Sequence, residues 1–134
     1  MKLDRDPAYV AGYILRFQRR PGYLFAEVTG TRSSAAITLA YWQEIAAECV
    51  RVDARKLLVV DHFRGNVVTT EEMIRCVHAL RDSPLAKLRI ALYEPEAENV
   101  PALQLAELEA LDLGFDFRVF GNEHQAEIWL RYGS

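Results

Sequence analysis

At 134 residues, with 51% hydrophobic and 26% charged side chains, the chain has the size of one domain with one core, and its composition excludes a disordered or fibrous protein. A formal net charge of -3 leaves no basic stripe to neutralise a phosphate backbone, which argues against nucleic acid as a partner. No stretch approaches the roughly 20 apolar residues that span a bilayer. The opening MKLDRDPAYVAGY has no apolar run of secretion-signal length, so a cytoplasmic protein without a membrane span is expected.

Residues 1–8 read as a polar lead. Tyr13 to Gln18 then alternates as a strand, with Tyr13, Leu15 and Phe17 on one side. Arg20-Pro21-Gly22 supplies a turn, with Arg19 and Arg20 at its solvated tip. Tyr23 to Thr29 returns, Leu24, Ala26 and Val28 sharing one face and Tyr23, Phe25 and Glu27 the other, which predicts an antiparallel hairpin. Ser33 or Ser34 caps a helix to about Arg51, with Leu39, Trp42, Ile45, Ala46 and Cys49 along one stripe.

Next comes KLLVVD. Leu57 to Val60 is too short a run for a helix and too apolar for a surface strand, so it predicts a central strand buried on both faces and ended by Asp61. The loop HFRGN leads to Thr69-Thr70-Glu71-Glu72, where threonine followed three residues later by glutamate is a capping box. The helix it opens, about Thr70 to Arg81, turns Met73, Cys76, Val77 and Leu80 inward and is broken at Ser83-Pro84. Leu88 to Tyr93 is another apolar strand, ended by Glu94-Pro95.

Asn99 and Pro101 open a helix to Leu113, and Gly114 suits a left-handed C-terminal cap. Phe115 to Phe120 is a last strand near a sheet edge. Asn122 and Gln125 form a second capping-box pattern, for a helix burying Ala126, Trp129 and Leu130. The order β-β-α-β-α-β-α-β-α predicts a single α/β domain over residues 1–134: a mostly parallel five-stranded sheet with an N-terminal antiparallel hairpin and four helices.

In such a sheet, ligands and partners meet the carboxyl end of a central strand facing the next helix. Asp61, His62, Phe63, Arg64, Thr69 and Thr70 are therefore the candidate contact residues. Asp61, His62 and Arg64 bring an acid, a base and a guanidinium to one loop, yet no serine or cysteine nucleophile is near in sequence, and an enzyme is not expected. His62, His78 and His124 lack the spacing of metal ligands on one helix, and neither glycine-rich phosphate motif occurs, so no metal or cofactor is expected. Glu94, Glu96 and Glu98 read as a solvated acidic face. Cys49 and Cys76, without CxxC spacing, read as reduced core thiols. Tyr41, Trp42, Phe63, Tyr93 and Trp129 either pack as core or line an apolar pocket between helices and sheet.

The strand KLLVVD with its aromatic-containing loop, the helix SSAAITLAYWQEIAAE after Gly30, and the ending FDFRVFGNEHQAEIWL resemble the SpoIIAA-like family of the STAS superfamily, over nearly the whole chain. The resemblance implies that fold and a role like that of bacterial anti-sigma-factor antagonists, in which a serine in an Asp-Ser-(small)-Gly motif after the central strand is phosphorylated. More distant relatives of the fold include CRAL-TRIO lipid-binding domains. Here the corresponding stretch is Val67-Val68-Thr69-Thr70-Glu71-Glu72. Thr69 and Thr70 are the nearest matches to the phosphorylated position, where a phosphate would meet a helix N-terminus but also two glutamates. Helix capping is the preferred use of the threonine.

The expected function is accordingly a non-enzymatic regulatory or protein-interaction domain that binds a protein partner through the loop and helix after the central strand. The alternative is a carrier or sensor of a small apolar or lipid-like ligand. The hairpin edge at Tyr13 to Gln18 offers a route to a homodimer.

Overall fold

The computed structural model describes residues 12–30, 34–63 and 68–133. The hairpin consists of β1 (Ile14–Arg20) and β2 (Tyr23–Gly30), antiparallel, with Gly22 at φ +87° closing the turn after Pro21. A side chain at that φ would be strained, so glycine is the residue the turn requires. There follow α1 (Ala35–Arg51), β3 (Lys56–Phe63), α2 (Thr70–Ala79), β4 (Arg89–Tyr93), α3 (Val100–Asp112), β5 (Asp116–Phe120) and α4 (Glu123–Tyr132). Two short 3₁₀ turns, Pro84–Lys87 and Ala97–Asn99, lead into β4 and α3.

The predicted element order is the observed one, and the five strands line up in chain order, β1-β2-β3-β4-β5, with every pairing after the hairpin parallel. Residues 1–8 and Ser33 lie outside the described residues. The caps explain where the helices start. Ser34 Oγ accepts from Ile37 N at 3.1 Å, and Asn122 Oδ1 from Gln125 N at 2.9 Å. Thr69 Oγ1 accepts from Glu72 N at 3.1 Å while Thr69 N donates to Glu72 Oε1 at 3.1 Å, a complete capping box.

One strand boundary differs from expectation. Asp61 does not end β3: pairing continues through His62 against Thr29 and Phe63 against Gly30. β2 is long enough to extend the ladder, and a strand ends where its partner's backbone ends, whatever the polarity of its own side chains.

Period-2 alternation divides the core in two. Leu24, Ala26 and Val28 of β2, Leu57 and Val59 of β3, and Ile90 and Leu92 of β4 face a layer containing Tyr41, Ile45, Ala46 and Cys49 of α1, and Ala110 of α3. The other face packs Tyr23, Leu58 and Ala91 against Ala126 and Leu130 of α4. Successive crossovers of one hand put α1, α2 and α3 on the same side. Among the described residues α4 alone covers the other, anchored through its last turn: Lys56 Nζ donates to the Arg131 carbonyl at 3.3 Å, and Arg89 donates to the carbonyls of Trp129 and Gly133 while lying 4.3 Å over the Trp129 ring. Cations at a helix C-terminus satisfy orphan carbonyls and oppose the helix dipole.

Candidate functional site

The same alternation that builds the core sends odd-numbered β3 residues under α1–α3. Asp61 and Phe63 therefore follow Leu57 and Val59 onto the three-helix face, while His62 turns to the opposite side and pairs with Glu27 at 2.9 Å. Asp61 and His62 thus do not form one acid–base group: they are adjacent in sequence and on opposite faces of the sheet. Arg64 lies outside the described residues. Thr69 is exposed with its hydroxyl engaged in the capping box, and Thr70 is half-buried as the first residue of α2.

Between α1, α2, α3 and the sheet lies a cavity of about 130 Å³. Its walls are mostly carbon. Met73, Cys76 and Val77 come from α2, Ile90 and Leu92 from β4, Phe115 from just before β5 and Phe117 from within it. α3 contributes Leu103 but otherwise only Ala106 and Ala110, and these small side chains leave the gap between helix and sheet unfilled. Native interiors contain few voids larger than a water molecule, so a gap of this size is a departure from ordinary packing.

At the carboxyl ends of β3 and β4 the wall becomes polar, formed by Thr38, Tyr41, Asp61, Glu94 and Asn99. Glu94 is only 3% exposed. The acidic run does not behave as one solvated face: Glu96 and Glu98 are exposed, but Glu94 continues the inward positions Ile90 and Leu92. Its backbone N–H donates to the Phe120 carbonyl at 2.9 Å, holding it in the extended line of β4 just beyond the strand. Period 2 from Ile90 through Leu92 points to this position, but the following proline and two further glutamates mask the signal.

Asp61 and Glu94 are hydrogen-bonded to each other, which two carboxyl groups manage only if one of them carries a proton. Burial raises both above their ordinary range, and the neighbouring Asp61 charge helps lift Glu94 to about 7. Phe63 N donates to Asp61 Oδ1 at 2.9 Å, Glu96 N donates to Glu94 Oε2 at 3.0 Å, and the Asn99 side chain bonds Glu94, all of which moderate the rise. A pair of this kind gains its second charge near neutrality. Burial, aided by Asp61, also holds the Tyr41 hydroxyl well above its ordinary value, with Thr38 bonded to it. Burial pushes the Cys76 thiol upward as well. The site therefore offers hydrogen bonds and a shared proton, while its thiol stays in the unreactive neutral form.

Of the aromatics that suggested a pocket, Tyr41, Trp42 and Phe63 line the cavity, with Tyr41 stacked on Phe63 at 5.5 Å and 6.1 Å from Trp42. Tyr93 and Trp129 belong instead to the cluster under α4. Cys49 and Cys76 are both free and buried. Among the described residues no group of His, Cys, Asp or Glu is arranged to hold a metal ion, and no helix is long and apolar enough to cross a membrane. Compared with protein-family models and with curated proteins, the chain matches none.

Proposed function

We propose that the protein is a non-enzymatic carrier or sensor of a small, largely apolar ligand held between the sheet and the helices α1–α3. The observation that carries this reading is the cavity of about 130 Å³ with carbon walls and one polar end. Cavities of about 150 Å³ lined by aliphatic and aromatic side chains admit a benzene-sized body. A few convergent polar groups in an otherwise apolar pocket, with perturbed titration among them, are the ordinary signature of a ligand site. Burying two carboxyls beside apolar residues costs stability, and such local violations concentrate where function requires them.

The test is a thermal-shift titration with toluene, on the native protein and on Ala106→Leu, which fills the gap from α3. Toluene should raise the Tm of the native protein and leave the variant unmoved. Equal behaviour of the two proteins defeats the reading.

The resemblance to SpoIIAA-like proteins supports a second reading, a regulatory domain that binds another protein. Leu105, Leu108 and Leu111, about half or more exposed along one side of α3, favour it. A partner captured by the native protein and lost on changing these leucines to Gln would support that reading. Retained capture would refute this surface as the contact.

A further inference from the structure

On the reading of the cavity as a ligand site, we infer that its ligand is a small organic amine, bound as the ammonium, with a compact apolar body in the carbon-walled part and its N–H groups on Asp61 and Glu94. Two observations converge on a cation. The described residues lining the cavity include two carboxyls and no Lys, Arg or His, so the buried negative charge has no counter-ion among them. A carboxylate or phosphate head placed there would meet like charge in a low-dielectric pocket. The rings of Tyr41, Trp42 and Phe63 line the same cavity as the carboxyls, and aromatic faces beside acidic groups recognise ammonium groups by cation–π attraction.

The body is set by the walls. Ile90, Leu92, Phe115 and Phe117 offer no hydrogen-bonding side chain, and the volume limits the ligand to about one ring or a branched alkyl group. The carboxyls accept hydrogen bonds and do not donate once both are ionised, which favours a primary or secondary amine over a quaternary one. Protonation enters directly. The groups facing the pair are the Tyr41 hydroxyl and Thr38 from α1 and Asn99 before α3, with the Cys76 thiol across the cavity and His62 beside Asp61 on the other face of the strand. The acid pair gains negative charge as pH rises through neutrality.

An isosteric series on the full-length native protein tests this: benzylamine, benzyl alcohol, toluene and benzoate, titrated calorimetrically and by Trp42 fluorescence. Benzylamine should bind at least about tenfold more tightly than benzyl alcohol, because a charge-assisted hydrogen bond is about twice as strong as a neutral one. Its affinity should climb from about pH 5 to about pH 8 as the pair ionises, and benzoate should not bind. Glu94→Gln keeps the shape of the side chain but leaves only the Asp61 charge, so it should remove the pH dependence and hold the preference for the amine at the level the native protein shows near pH 5. Toluene or benzyl alcohol binding as tightly as benzylamine, or benzoate binding best, overturns the amine while leaving the cavity a ligand site. Failure of all four to bind overturns both.

Discussion

Replacing Glu94 by glutamine should make the protein more stable, and only above a definite pH. In the unfolded chain glutamate titrates near 4.5, whereas folded Glu94 is raised to about 7. Between those values the folded state holds a proton that the unfolded state has released. Stability is therefore full below about 4.5 and falls as pH rises toward 7. At about 1.4 kcal/mol for each tenfold change in proton affinity, and with Asp61 sharing the proton, the loss comes to about 2–3 kcal/mol. This is a sizeable fraction of the ~5–15 kcal/mol that holds a domain folded. Glutamine cannot ionise, so Glu94→Gln should match the native protein near pH 5 and exceed it by that amount near pH 8. Urea titrations followed by tryptophan fluorescence would read this as coincident midpoints at the lower pH and a separation of about 1 M at the higher. His62, His78 and His124 are common to both proteins and cancel in the difference. Midpoints that keep a constant separation from pH 5 to pH 8 would refute the raised carboxyl and with it the protonated pair.

Thr69→Ala removes both hydrogen bonds made by the threonine side chain and should cost about 1 kcal/mol, read as a lower urea midpoint without a change of slope. Gly30→Ala would place a methyl group inside the envelope of the Phe63 ring, which is held by its stacking on Tyr41. The strain should cost about 1–3 kcal/mol and weaken toluene binding by displacing a cavity wall. Cys49 is 2% exposed and its thiol is raised by burial to about 11, so a thiol reagent at pH 8 should leave it unlabelled in the native protein and react with it promptly in denaturant.

The fold was legible because local signals and burial agreed. Ser34, Thr69 and Asn122 cap the helices they were expected to cap, and the apolar run Leu57–Val60 lies fully buried in the centre of the sheet. The site was half legible. Asp61 and Phe63, named from the rule that strand carboxyl ends meet ligands, line the cavity, but reading Asp61 as a stop hid the alternation that separates it from His62. Glu94 was missed because, followed by proline and two more glutamates, it resembles a solvated acidic turn. Only the neighbouring strand, fixed by the register Val59↔Leu92 and Val60↔Tyr93, brings it beside Asp61. Tyr93 and Trp129 were grouped with the wrong aromatics for a related reason: composition shows how many rings a chain has, whereas strand parity and docking decide which face each occupies.

The agreement between strand order and chain order has a consequence for how the molecule comes together. Each new strand pairs with the one made just before it, so the sheet can be laid down by addition at a single growing edge, and none of the five has to be threaded between two already joined. Every closure after the hairpin spans a single helical crossover, so no pairing has to reach past an intervening strand. The carboxyls of β3 and β4 meet only when that edge has passed them, which makes their shared proton a late reporter of assembly: in a stopped-flow refolding experiment at neutral pH, proton uptake should trail the burial of Trp42.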